Sequence, residues 1–220
     1  MTHFENEMQK HGLTMENIDW TAPYIADLNA ARDRDVYEEE VAGLQNERVA
    51  EFDRVCPYEY RVTDINQLKK ISPRALEIVN HSLKGRSLLV NGPSRRGKTR
   101  AVWLLLRRLF IEHGANFDWF TASRFADAAI QASKEDGLSR FIAPLLAVPI
   151  LFIDDLGKAK MTPKSSEALF ELVEGRTSRL KPIIITTNYT RNELNACFED
   201  EKTSVPLISR IIEFSSIITL

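Results

Sequence analysis

The sequence predicts an α/β fold in which parallel strands lie under helices and end at a phosphate-binding loop. Three stretches predict it. Gly92-Pro93-Ser94-Arg95-Arg96-Gly97-Lys98-Thr99 has the pattern G-x-x-x-x-G-K-T, whose glycines let a loop wrap a phosphate with backbone N–H groups. The apolar run Leu88-Leu89-Val90 precedes it, and Val102, Leu105, Leu106, Leu109 and Phe110 follow at helical spacing. Strand, loop and helix are the context the pattern needs. Next, Ile150-Leu151-Phe152-Ile153 runs unbroken into Asp154-Asp155, as a strand buried on both faces does. Last, Ile183-Ile184-Ile185 ends in Thr186-Thr187-Asn188, polar residues at the strand end where ligands sit in open α/β sheets.

In chain order, residues 1–25 are weakly patterned. Residues 29–55 read as a helix with sparse apolar positions, an acidic cluster Glu38-Glu39-Glu40 and an interrupting Gly43. Pro57 opens a break, so a linker is placed at 56–61. Residues 64–70 and 73–83 read as short helices, the second with Pro73 in its first turn. Past the loop helix, residues 116–120 read as a strand. Thr121 caps a helix over 123–133, which the break Lys134-Glu135-Asp136-Gly137 ends, and residues 138–147 are a short amphipathic element. Thr162 and Pro163 start a helix that ends at Gly175-Arg176. Residues 191–198 and 207–212 read as helical, and 214–220 as a last strand.

At 220 residues the chain has room for one substantial domain and a smaller appendage. No apolar run reaches the roughly 18 residues of a membrane span, and the N-terminus lacks the basic start and apolar core of a secretory signal. Cys56 and Cys197 have no metal-like spacing and read as free thiols of a reducing cytoplasm. Residues 1–60 carry 14 acidic and 5 basic side chains, whereas the rest is net basic by 7. A basic body suits nucleic acid, and an acidic arm suits a basic protein surface. The expected division is therefore an acidic, helical N-terminal arm over 1–60 and an ATPase domain over 61–220.

The loop chemistry assigns the nucleotide. Residues 92–100, from Gly92 to Arg100, would cradle ATP at the positive end of the helix. Lys98 would reach the β- and γ-phosphates, and Thr99 would ligate Mg²⁺. Asp154 is placed to hold the same Mg²⁺, and Asp155 to orient the attacking water.

The order of Gly92–Thr99, Ile153-Asp154-Asp155-Leu156-Gly157, Ile184–Asn188 and Ser209-Arg210 resembles the AAA+ ATPases. Within them it is similar to the bacterial helicase loaders (DnaC-like) and the transposition helpers (IstB-like). Asp-Asp-Leu-Gly is the most specific sign, and Leu169–Arg176 also fits. The resemblance covers about residues 60–220. It implies a five-stranded parallel sheet between helices and an ATP site at a subunit boundary. Typical AAA+ proteins continue into a helical lid, but only ten residues follow Arg210 here, so no C-terminal lid is expected. It implies that Asn188 is a sensor of the γ-phosphate and that Arg210 is an arginine finger reaching a neighbouring subunit's ATP. Arg176 matches a family position without an assigned role.

Members of this group carry a DNA-tracking helical insertion, which places candidate contacts at Arg124, Lys134 and Arg140, with Phe125 for stacking. Lys158 and Lys160 form a second basic group. The expected function is ATP-dependent loading of a replicative helicase onto single-stranded DNA, the arm gripping the helicase. One alternative is a transposition helper whose arm contacts a transposase. Another is a nucleotide-dependent adaptor with little turnover. Self-association through the ATP site is expected, and no membrane partner.

Overall fold

A computed structural model describes residues 1–19, 21–135 and 137–220, and the Asp136 of the expected helix break lies outside them. The chain divides into two compact units, Met1–Val55 and Cys56–Leu220. The expected boundary after residue 60 lies five residues later, because Cys56–Tyr60 packs with the second unit: Tyr60 stacks on Trp103, and the Glu59 carbonyl accepts from Arg100.

The first unit is two helices, α1 (His3–Lys10) and α2 (Ile25–Val55). The weakly patterned start conceals α1. Thr2 and Glu5 form a reciprocal capping box that satisfies orphan N–H groups at its N-terminus. Asp35 of α2 adds two acceptors, at 2.7 Å from the His3 N–H and 2.9 Å from the Phe4 N–H. Gly43 does not break α2.

The second unit opens with α3 (Tyr58–Arg61), where a linker is expected, then α4 (Ile65–Ile71) and α5 (Ala75–Val79), shorter than the expected 73–83. Alternating strands and helices follow: β1 (Ser87–Asn91), α6 (Lys98–His113), β2 (Phe117–Thr121), α7 (Ala122–Lys134), α8 (Leu138–Ala147), β3 (Ile150–Asp154), α9 (Pro163–Thr177), β4 (Ile183–Thr187), α10 (Arg191–Ala196), α11 (Glu201–Phe214) and β5 (Ser215–Thr219). All ladders are parallel, in the order β2-β3-β4-β1-β5.

The caps are where the sequence puts them. Thr121 accepts from the Arg124 N–H, and Thr162 from the Ser165 N–H with Pro163 at the first helical position. β3 and β4 are buried along their whole length, as their unbroken apolar runs require. One face of the sheet packs on α7, α8, α9 and α11 through Leu151, Ile153, Leu169, Leu172 and Ile208. Parallel strands bring every strand's carboxyl end to one edge, which collects the polar residues of β3 and β4 beside the loop after β1.

Candidate functional site

The loop after β1 is shaped by two glycines. Gly92 has φ +139°, and a Cβ there would overlap the Leu220 carbonyl oxygen. Gly97 has φ +84° and caps α6; a Cβ there would overlap the Leu68 side chain. Arg95 also takes a left-handed φ of 64°, an uncommon conformation for a long side chain.

Lys98 is 5 % exposed and donates from Nζ to the Gly92 and Pro93 carbonyls, both at 2.9 Å, and to Asn188 Oδ1. Burial pulls its pKa below the ordinary lysine value, against the pull of Asp155 and Asp154. Thr99 Oγ1 donates to Asp154 Oδ1 at 2.9 Å, and Thr186 Oγ1 donates to the same oxygen. Burial raises the Asp154 pKa above the usual carboxylate range, while the Thr186 and Thr99 hydroxyls act the other way. Asp155 has φ 58°, a turn that aims its carboxylate out of β3, and its N–H donates to Thr186 Oγ1 at 2.8 Å. Lys158 Nζ pairs with Asp155 Oδ2 at 3.1 Å.

Lys98, Thr99, Asp155, Lys158 and Asn188 face a cleft of about 380 Å³, with Asp154 and Thr186 buried behind them. Ser94, Arg95, Lys98 and Thr99 line one side, and Asp155, Lys158 and Asn188 another. Glu59 and Tyr60, within the expected linker, add a wall. Arg100 is turned toward that wall: its guanidinium donates to the Glu59 carbonyl at 2.6 Å and to Thr63 Oγ1 at 3.2 Å, and lies 5.6 Å from the Tyr60 ring centre. Burial raises the pKa of the Tyr60 phenol above its ordinary value. Arg96 is exposed and does not line the cleft.

The arrangement fits a nucleoside triphosphate. Lys98 rests on two neutral carbonyls and an amide oxygen, and a phosphate is a stronger acceptor for an ammonium than any of them. The Thr99 hydroxyl and the Asp154 carboxylate already touch, the one-hydroxyl, one-carboxylate donor set that Mg²⁺ uses when phosphates supply the other oxygens. Among the described residues no group of three His, Cys, Asp or Glu could hold a metal alone.

Thr186 is the residue the sequence did not single out. Its hydroxyl donates to Asp154 and accepts from the Asp155 N–H, so it joins both carboxylate residues to β4.

Arg210 is not brought to this cleft. It sits on α11 beside Ser87 and Ser215, the first residues of β1 and β5, at the opposite edge of the sheet. The Nε–Nη2 edge of its guanidinium is taken by Glu174 of α9. Arg176, also at that edge, is fully buried. Its Nη1 donates to the Leu145 carbonyl and, at 2.9 Å, to that of Val148; its Nη2 donates to those of Pro149 at 3.1 Å and Pro182 at 2.8 Å. It ties the end of α8 to the starts of β3 and β4. Burial lowers its pKa to about 10.

The expected DNA residues divide. Arg124, Lys134 and Arg140 are exposed, and the Arg124 guanidinium lies 5.7 Å from the Trp119 ring centre. Phe125 is a correction: it is 1 % exposed and packs edge-on to Phe120 and against Phe141. It lies on the apolar face of α7 with Ala122, Ala126 and Ala129, so it is core and cannot stack on a base. Lys158 turns to the cleft, and Lys160 pairs with Glu199 at 3.7 Å.

A phosphate loop after the first strand, a carboxylate pair on a central strand and a polar strand end beside it, on an all-parallel five-stranded sheet, define an ATP-binding α/β protein of the AAA+ kind. Residues 27–220 match the IstB-like ATP binding protein family, so the chain belongs to that family. The match also begins well inside the arm, earlier than residue 60. Two curated relatives are insertion-sequence ATP-binding proteins. That of Mycobacterium tuberculosis is 24% identical over 190 residues, 86% of this chain and 75% of the relative. That of Geobacillus stearothermophilus is 25% identical over 134 residues, 61% of this chain and 53% of the relative. Among solved structures, the DnaC helicase loader aligns with a TM-score of 0.58 at 20% identity, covering 77% of this chain and 98% of that one. AMPPCP-bound DnaA from Aquifex aeolicus aligns with a TM-score of 0.59 at 16% identity, covering 76% of this chain and 51% of that one. The described residues contain no helix long and apolar enough to cross a membrane.

Proposed function

We propose that this protein hydrolyses ATP at the Lys98 cleft, in an assembly on DNA, and that its acidic arm engages a transposase. The observation that carries the ATPase reading is the convergence of three strand ends: Lys98 on Asn188, and Thr99 on Asp154. Residues 92–100 hold the phosphates, and Lys98 exchanges its carbonyl partners for the β- and γ-oxygens. Thr99 and Asp154 would hold Mg²⁺, which would supply charge neutralisation to the phosphates. Asp155 orients the attacking water and Asn188 contacts the γ-phosphate. Arg210, remote from its own cleft, acts on the ATP of a neighbouring subunit, where a cation stabilises charge on the transferred phosphoryl. Arg124, Lys134 and Arg140 contact DNA phosphates, with binding that weakens steeply with salt.

Family membership and the two insertion-sequence relatives favour a transposase as client. The helicase-loader reading, first from sequence, is supported by likeness of fold to DnaC. Purified full-length protein is mixed with a transposase of an insertion sequence of this family, or with a replicative helicase, and ATP turnover and co-elution are followed on DNA. Co-elution with the transposase and a rise in phosphate release support the proposal. Co-elution with the helicase alone transfers the protein to the loader role. ATP binding with no phosphate release under any condition identifies a nucleotide-dependent adaptor.

A further inference from the structure

Arg210 is held with more care than a surface cation needs. Its Nε donates to Glu174 Oε1 and its Nη2 donates to Glu174 Oε2 at 3.0 Å, a two-pronged carboxylate pair between α11 and α9. The ring centre of Phe214, one turn further along α11, lies 5.2 Å from the guanidinium carbon, within range of a cation–π contact. Glu213 stands 3.9 Å from Nη1, beyond hydrogen-bond reach. One edge of the guanidinium is thus fixed by Glu174 and its plane by Phe214. The Nη1 edge keeps its donors for a further acceptor. The Arg210 side chain remains 37% exposed and that of Glu174 35%. Glu174 also borders an open groove of about 550 Å³ between α8 and α9, with Leu146, Phe170 and Glu171. A second molecule can reach this site.

We infer that Glu174 is a positioning residue, which fixes the Arg210 guanidinium so that its free edge meets a phosphate presented by a second copy of this chain. The inference rests on the reading of Arg210 as acting on a neighbouring subunit. An unpaired arginine samples many rotamers, and ordering it at the moment of assembly would cost part of the contact's free energy. A guanidinium already locked by Glu174 avoids that cost. The alternative, that Glu174 sequesters Arg210 until assembly, predicts the opposite sign when Glu174 is removed.

Two readouts test it on the full chain: sedimentation of the protein with a non-hydrolysable ATP analogue, and phosphate release at saturating protein on DNA. Arg210→Ala should abolish the analogue-dependent part of self-association. Glu174→Ala should weaken it about tenfold and lower kcat by about 10–100-fold with little change in KM for ATP. Glu174→Gln, which keeps one acceptor for Nε, should fall between wild type and Glu174→Ala; it also serves if the alanine variant folds poorly. Mixing Glu174→Ala with Lys98→Ala subunits should restore turnover, because an intact Arg210–Glu174 pair then faces an intact phosphate loop. Failure of that mixture to recover activity overturns the inference. So does a Glu174→Ala protein that associates as well as wild type or better while Arg210→Ala does not. If Arg210→Ala itself changes neither readout, the reading of Arg210 falls, and the role of Glu174 with it.

Discussion

At the amino edge of the sheet, Arg176 commits its guanidinium to four backbone carbonyls; at the carboxyl edge, Lys98 rests on two carbonyls and an amide. Both cations are buried and both have pKa values lowered by burial. The difference is in the acceptors. Those of Arg176 belong to strand and helix ends around a fully buried side chain, which no ligand reaches. Those of Lys98 belong to a glycine-turned loop and a strand end that open on a cleft, and an anion entering it outcompetes them. A buried cation that satisfies backbone is part of the frame, whereas one that rests on replaceable neutral oxygens is poised for chemistry.

Substitutions can sharpen or break that contrast. The largest effect should come from Arg176→Met, which takes the donor from four backbone carbonyls, that of Leu145 buried and the others part-buried. It should cost about 3–5 kcal/mol of stability, measured by urea denaturation. A variant as stable as wild type would show the carbonyls finding other partners. Lys98→Ala should lower Mg²⁺-ATP affinity about 100-fold, or about 2.7 kcal/mol, by calorimetry, with a far smaller loss of stability. A comparable loss of stability in both variants would erase the distinction.

The smallest effect concerns Asp154, whose burial raises its pKa. A folded-state pKa above the unfolded one favours the neutral form, so its contribution is fully present in acid and lost as pH rises through the folded value. Asp154→Asn should therefore raise the melting temperature of the nucleotide-free protein at pH 7. The gain should shrink as the pH falls through the raised pKa and the wild-type carboxyl takes up its proton. The variant should also lose the further rise that Mg²⁺-ATP gives wild type. A melting temperature that falls at pH 7 would mean that the Thr99 and Thr186 hydroxyls need the charge.

Much of the frame was legible because its signals are local. Unbroken apolar runs marked β3 and β4, and Thr121 and Thr162 announced their helices. The cleft was legible because its loop and carboxylates lie in short contiguous motifs. What escaped depends on distant partners. Arg176 matched a motif, but its acceptors lie 27 to 31 residues upstream, except for Pro182. Thr186 was visible as a polar strand end, yet its role needs the register that sets β4 beside β3. Phe125 was misread because basic neighbours in sequence say nothing about which helix face is buried. The start of the chain is different: Thr2 and Glu5 carry a local capping signal that could have revealed α1. Glu174 had no local signal at all, since its partner is 36 residues away on another helix.

The contact between Gly97 and Leu68 has a mechanical consequence. The phosphate loop closes against the side chain of α4 with no room for even a methyl group at Gly97. A side chain at Gly97, such as that of Gly97→Ala, would therefore have to displace the Leu68 side chain from beneath the loop. Gly97 is thus the point at which the loop that faces the cleft and α4, near the start of the second unit, bear on each other.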